Sequence, residues 1–243
     1  MIDLILQDKN IEAHKAENLA ELGWKNVHND IVKTYEKATN GNTKDWKGNK
    51  NSIYKTLGAS NHTKEERQSE DYYATDPIAI DKLLQVENIC NNVWECACGE
   101  NHLTDKLRSY GITTTCSDVV KRIQGEDIQI IDFLNCNKKW NGDIITNPPY
   151  KYATEFVLKA LDLVDNGSKV CMFLKLQFLE GIGRYNDLFS KYQPKTIYVF
   201  SKRIMCAKNG EFEKMKQGGG SAVDYAWYVW EKGNYNKTEI KWI

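Results

Sequence analysis

The stretch NGDIITNPPYKYATEF, residues 141–156, decides how this chain is read. A strand-like run, Asp143-Ile144-Ile145-Thr146, meets Asn147-Pro148-Pro149-Tyr150 with no spacer. Proline fixes φ at about −65° and donates no backbone hydrogen bond, so two in succession stop strand and helix alike. The corner is rigid and holds its neighbours in fixed directions. Those neighbours are a carboxamide, Asn147, and an aromatic ring, Tyr150. The first engages the hydrogens of a planar polar group, and the second offers a face for stacking.

Outward from this corner the pattern alternates. Strands are predicted at 91–95, 112–117, 128–131, 143–146, 169–174, 196–200 and 222–230, with helical patterns at 101–109, 152–164 and 182–191 between them. Strand–helix alternation of this kind predicts an α/β fold, a mostly parallel seven-stranded sheet with helices on both faces. Asp76-Pro77 opens a further helix to about Val86, since Asp is a good N-cap and Pro suits the first helical position. The final segment, AVDYAWYVWEKGNYNKTEIKWI, is aromatic and β-branched with Gly233-Asn234 inside it, and predicts a C-terminal antiparallel hairpin. Upstream, residues 9–39 read as helix and 40–52 as a Gly/Asn/Lys-rich loop. The expected division is an N-terminal helical extension, 1–69, and a main domain, 70–243.

At 243 residues and 41% hydrophobic, the chain holds enough apolar material for one substantial core. No apolar run reaches membrane-spanning length, and the first residues, MIDLILQD, lack a signal peptide's basic start. Seven cysteines, an odd number lying mostly in apolar runs, suit reduced buried thiols and a cytoplasmic protein. Cys96 and Cys98 have no second pair or histidine at zinc spacing, so no metal is expected. Net charge is zero, yet lysines gather at 31–55 and again at 201–217, where Lys202, Arg203, Lys208, Lys214 and Lys216 interleave with Phe200 and Phe212. Such stretches form either solvated faces or phosphate contacts. The second, with its three glycines at 218–220, reads as a mobile loop.

Acids sit at successive strand ends. In NNVWECACGENHLTDKL, 91–107, a strand ends at Glu95 and a helix follows a small-residue turn. Ligands of open α/β sheets collect beyond strand carboxyl ends. Ala97 and Gly99 permit close backbone approach there, and Glu95 suits an ammonium group; the plainer reading is a tight turn that needs small residues. Asp118 ends GITTTCSD and suits ribose hydroxyls or, alternatively, a helix cap. Asp132 and Phe133, in IQIIDFL, suit an exocyclic amine and a purine face, or form a strand-end turn. Taken together, the three acids outline a nucleoside-plus-ammonium ligand.

With Asn147-Pro148-Pro149-Tyr150 at the fourth strand end, the chain resembles the S-adenosylmethionine-dependent methyltransferases that modify N6 of adenine in DNA, in particular their compact phage and prophage type. EDYYATDPIAIDKLL, 70–84, looks like that family's additional cofactor motif, usually written around Tyr-Thr-Pro, which places Tyr73 and Thr75 at the cofactor. VCMFLKLQFLEGIGRY, IYVFSKRI and SAVDYAWYVWEKG are similar to the family's later segments. The likeness spans about residues 45–243. Two positions depart from the pattern: Asn101 stands where a glycine is common, and Asp76 separates Thr75 from Pro77. Asn tolerates positive φ better than most residues, so the turn at Asn101 is expected to form.

The resemblance implies a Rossmann-like class I methyltransferase fold, S-adenosyl-L-methionine as cofactor, and DNA as partner. It also implies an adenine-specific DNA methyltransferase (EC 2.1.1.72-like) that is monomeric or weakly dimeric and works in a bacterial or phage-infected cell. In that chemistry the Asn147 oxygen and the Pro148 carbonyl accept from the adenine amino group and localise its lone pair. Pro149 stiffens the corner and Tyr150 stacks on the base. The nitrogen then takes the sulfonium methyl, releasing S-adenosylhomocysteine. The base must be flipped out of a duplex to reach the site. Phe200 is the candidate for its second face, or else a core residue, and Lys202 and Arg203 are candidate DNA contacts. Related patterns modify adenine in RNA, a glutamine amide in proteins, or cytosine N4. A non-catalytic nucleic-acid-binding module that retains the fold is a further alternative, which cofactor binding distinguishes.

Overall fold

The computed structural model describes residues 73–124, 127–208, 210–217, 221, 223–235 and 237–243. The helix expected at 9–39, the loop at 40–52 and the N-terminal extension lie outside the described residues. In chain order the elements are β1 (Tyr73–Thr75), α1 (Ile78–Leu84), β2 (Asn92–Glu95), α2 (His102–Ser109), β3 (Thr113–Asp118), β4 (Gln129–Ile130), β5 (Asp143–Thr146) and α3 (Ala153–Leu163). There follow β6 (Lys169–Lys175), the short α4 (Ile182–Arg184) running into a π turn (Tyr185–Phe189), β7 (Thr196–Val199), β8 (Cys206–Lys208), α5 (Phe212–Gln217), β9 (Tyr225–Glu231) and β10 (Glu239–Trp242).

Among the described residues, eight strands form the main sheet in the order β4-β3-β2-β5-β6-β9-β7-β10. Every pairing is parallel except those of β9, which runs antiparallel to both β6 and β7. This is the Rossmann-like class I methyltransferase fold. The order reverses between β2 and β5: the chain proceeds outward through β3 and β4, then returns to start β5 on the other side. That switch point opens a crevice beyond the ends of β2 and β5, where Glu95 and Asn147 sit.

Period-2 alternation accounts for the two-sided core. Trp94, Ile144, Val170, Met172, Leu174, Tyr228 and Trp230 face one side, packed by Phe156, Val157 and Ala160 of α3. Their neighbours Val93, Ile145, Cys171, Phe173, Trp227 and Val229 face the other, against Ile80 and Leu83 of α1 and Leu103 and Leu107 of α2. Each fully buried large side chain of this set contributes about 1.5–3 kcal/mol. The indoles also find acceptors: Trp227 Nε1 donates to Ala79 O at 2.8 Å and Trp230 Nε1 to Tyr192 O at 2.9 Å, so burial leaves no orphaned N–H. At the start of α1, the Asp76 carboxylate accepts from Ile78 N–H at 3.1 Å, as the Asp-Pro pair predicts. All seven cysteines are free and five are buried. No helix among the described residues is long and apolar enough to cross a membrane.

The expected C-terminal hairpin does not form. Gly233 adopts φ 88° and Asn234 N–H closes a turn onto Glu231 O at 3.0 Å, so the local turn exists. Both edges of β9, however, are already paired with β6 and β7, and β10 joins the free edge of β7 in parallel. The sheet therefore has eight strands rather than seven. The segment 201–217 is likewise not a continuous loop: it holds β8 and α5, and β8 pairs antiparallel with β1 as a separate two-stranded ribbon.

Candidate active site

The crevice at the switch point is a cavity of about 720 Å³, lined from three directions. The β2 end supplies Glu95, Cys96, Ala97 and Cys98; the β3 and β4 ends supply Asp118, Asp132 and Phe133; the β5 end supplies Asn147, Pro148, Pro149 and Tyr150. Tyr73 and Thr75 close it from the ribbon. Eleven of the fifteen residues singled out in the sequence thus line one space with these neighbours.

The Asn147 carboxamide is held from one side. Its Nδ2 donates to the Tyr73 carbonyl at 3.0 Å and to Thr75 Oγ1 at 2.9 Å, with the Cys206 thiol at 3.5 Å. Its Oδ1 is buried and has no hydrogen-bond partner among the described residues. A buried acceptor left unmade is uncommon and costs about 1–3 kcal/mol. Asn147 itself is among the residues that line the cavity. Tyr150 stacks near Tyr225, with ring centroids 6.0 Å apart, and its hydroxyl lies 3.2 Å from the Cys206 thiol. Burial, with Cys206 and Tyr225 beside it, pushes the Tyr150 phenol well above its usual value, so the ring is a neutral aromatic surface. Lys175 Nζ stands 4.8 Å from its centroid.

At the opposite wall, Glu95 is 2% exposed and accepts from the Thr104 hydroxyl, and no cation pairs with it among the described residues. Burial pushes its carboxyl up to about 8, Asp118 and Asp105 adding to the effect while Thr104 opposes it. An unpaired buried carboxyl of this kind waits for a positive charge. Asp118 holds the turn: Oδ2 accepts from Gly99 N–H at 2.8 Å and Oδ1 from Val120 N–H at 3.1 Å. Gly99 itself, with φ 56°, is behind the wall rather than in it. Asn101 adopts φ 64°, the conformation expected where a glycine is common.

Other expected residues take structural roles. Asp132 caps the 3₁₀ turn Phe133–Asn135, accepting from Leu134 N–H at 3.1 Å and from the Asn135 amide at 2.7 Å. The Phe133 ring is largely consumed by the core, 5.3 Å from Trp94 and 5.0 Å from Phe156. Phe200, Lys202 and Arg203 do not line the cavity. Phe200 packs on Phe173 in the second core cluster, its centroid 5.8 Å away. Arg203 pairs with Asp224 at 2.9 Å, and Lys202 is exposed. Sequence reading missed Cys206, Tyr225, His102, Arg122 and Lys175. His102, Lys175 and Tyr225 lie inside stretches quoted for other residues, Cys206 and Arg122 outside them, and Cys206 and Tyr225 reach Tyr150 only through the β1–β8 ribbon and through β9.

No family model matches the chain, and no curated protein matches it in sequence. Among solved structures, it is similar to a candidate class I S-adenosylmethionine-dependent methyltransferase from Listeria monocytogenes, with 12% identity and a TM-score of 0.44, covering 68% of this chain and 61% of that one. It is similar to the 23S rRNA methyltransferase ErmE, with 14% identity and a TM-score of 0.44, covering 68% and 72% of the two chains. It is also similar to the M protein of the type I restriction enzyme EcoKI (EC 2.1.1.72), with 14% identity and a TM-score of 0.45, covering 69% and 45%. The chain thus spans less than two thirds of the length of the first and the third.

Proposed function

We propose that this chain transfers a methyl group from S-adenosylmethionine to the N6 amino group of adenine in DNA. The observation that carries the reading is the Asn147 carboxamide. Its two hydrogens are consumed by the ribbon and its oxygen is left, buried and unpartnered, beside a cavity that also holds an uncompensated carboxyl. The donor set fits the cofactor. Glu95 matches the methionine ammonium, Asp118 retains acceptor capacity for ribose hydroxyls, and Ala97 keeps the backbone accessible. S-adenosylmethionine, when bound, supplies an electrophilic methyl on a sulfonium leaving group.

The protein's own part is positioning and electrostatics. The amino nitrogen of adenine is a poor nucleophile because its lone pair is delocalised into the ring. The Asn147 oxygen accepts one amino hydrogen and the Pro148 carbonyl the other, which favours a pyramidal nitrogen and localises the pair. Both acceptors are fixed in advance by the Pro148-Pro149 corner, so no reorganisation is needed as charge develops. Tyr150 stacks on the base, and its neutral phenol is suited to that role. Every group named here stands on a strand end or its corner, which gives the precision such preorganisation needs.

The motif at residues 70–77 and the text after 170 favour DNA over RNA. The test is parallel transfer of labelled methyl to DNA, RNA and protein with nucleoside mass analysis. N6-methyl-2′-deoxyadenosine from DNA supports the proposal; label in RNA alone or in protein alone overturns the substrate, and absence of cofactor binding overturns the enzyme.

A further inference from the structure

The grip on Asn147 comes from two short strands with no catalytic motif between them. In the β1–β8 ribbon Thr75 stands directly opposite Cys206, so their side chains lie on one face of the ladder. That face meets the Asn147 amide: the Tyr73 carbonyl at 3.0 Å, Thr75 Oγ1 at 2.9 Å and Cys206 Sγ at 3.5 Å. The ribbon is anchored independently of the cavity. Asp76 N–H donates to Met205 O at 3.0 Å, while Ile204 and Cys206 are buried in the second core cluster.

An asparagine carboxamide has a donor end and an acceptor end of nearly the same shape, and rotation by about 180° exchanges them. In the exchanged orientation Asn147 presents two N–H groups to a substrate that is itself a donor, and the acceptor that localises the lone pair is gone. The Tyr73 carbonyl opposes this exchange. A backbone carbonyl only accepts, so the rotamer that sets Oδ1 against Tyr73 O places two lone-pair atoms in contact. Thr75 takes the second amide hydrogen, and its 2% exposure keeps water from substituting. The thiol completes the surround: burial raises the Cys206 pKa, so the group stays a neutral, weakly accepting SH.

We infer that the β1–β8 ribbon sets the catalytic orientation of Asn147, and that Thr75 and Cys206 are positioning residues for methyl transfer rather than cofactor contacts. This rests on the proposed function and reassigns Thr75, whose place in the sequence suggests the cofactor. It also explains why a strand near residue 206 returns to residue 75: the pairing carries the thiol and the hydroxyl to the same amide.

The experiment compares Thr75→Val, which keeps the shape and removes the oxygen, with Thr75→Ser, which restores the oxygen, and with Cys206→Ala. Steady-state turnover on adenine-containing DNA, S-adenosylmethionine binding by calorimetry, and the side-chain NH₂ resonances of ¹⁵N-labelled Asn147 are measured for each. Thr75→Val is expected to lower kcat by about tenfold or more with cofactor Kd within about twofold, and to shift and broaden the Asn147 NH₂ pair. Thr75→Ser is expected to return kcat to within about threefold of the parent, and Cys206→Ala to lower it by about two- to fivefold. In an Asn147→Ala background Thr75→Val should add nothing, as befits a residue acting through another. Cofactor Kd and kcat falling together in Thr75→Val, with the Asn147 resonances unmoved, overturns the inference and returns Thr75 to the cofactor. If the parent protein methylates no nucleic acid, the functional proposal fails by itself. The resonances then decide the inference: a pair unmoved by Thr75→Val overturns it, and a shifted pair upholds the orienting role.

Discussion

Glu95 gives the sharpest solution test. Its carboxyl is fully buried with no cation beside it among the described residues, and is pushed up to about 8 by that burial. At pH 7 only about one tenth of the molecules carry the charge that a methionine ammonium requires, and binding must ionise the rest. Affinity is therefore expected to rise about tenfold per pH unit from 6 to 7, equivalent to about 1.4 kcal/mol, and to flatten near 8. Well above 8 the ligand's own α-ammonium loses its charge, so the profile turns over. Calorimetry with S-adenosylhomocysteine, which keeps the same amino-acid moiety, is run at pH 7 in buffers of different ionisation enthalpy. Release of close to one proton per ligand is expected, and Glu95→Gln should abolish both the release and the slope. The apoprotein supplies an independent sign: a group whose folded pKa is raised favours the folded state at low pH, so this contribution to stability fades between about 4.5 and 8 and the ligand restores it. A flat affinity from pH 6 to 8, or no proton released from the parent protein, refutes the assignment of Glu95 to the ammonium.

Asn147→Ala should lower methyl transfer by about 10²–10³-fold with cofactor Kd nearly intact, since it removes an interaction made with the base; unchanged turnover in the labelled-methyl assay contradicts the role. Asn101 is 1% exposed and its side-chain Oδ1 and Nδ2 lack partners among the described residues, at a φ that glycine adopts freely. Asn101→Gly should therefore raise unfolding free energy by about 1 kcal/mol in a urea titration. Phe200→Leu should lower stability by about 1 kcal/mol through its packing on Phe173 while leaving transfer within about twofold, and a large loss of kcat would return Phe200 to the base pocket. At Gly142 a Cβ would lie 2.2 Å from the Asn92 carbonyl oxygen, so Gly142→Ala should cost about 3 kcal/mol or more in the same titration.

What sequence reading reached, and what it missed, follows from the range of the signals. Strands such as 143–146 and 169–175 are buried on both faces, so their apolar runs and bounding turns are local properties of the chain. The acids at strand ends were legible for the same reason: parallel topology places every strand's carboxyl end on one rim, so Glu95, Asp118, Asp132 and Asn147 meet without any knowledge of contacts. The ribbon was not legible. Its strands are three residues each, too short for periodicity, and they pair across more than half of the described chain. The hairpin expectation failed at the level of pairing: the Gly233-Asn234 turn forms, but it cannot decide which neighbours β9 already has. Phe200 shows the same limit, since an aromatic at a strand end faces core or cavity according to a pleat set by its neighbours.

The antiparallel strand between β6 and β7 also bears on how the chain is made. Among the described residues β7 pairs with β9 and β10 alone, and both follow it in the chain. During synthesis, residues 196–199 therefore emerge with neither lateral partner available and wait for residues 225–242. A nascent chain paused in that interval exposes both margins of an apolar segment, the situation in which non-native pairing and chaperone capture compete with folding. Codon changes that slow translation across residues 200–224 should lower the soluble yield more than equal delays placed before residue 190.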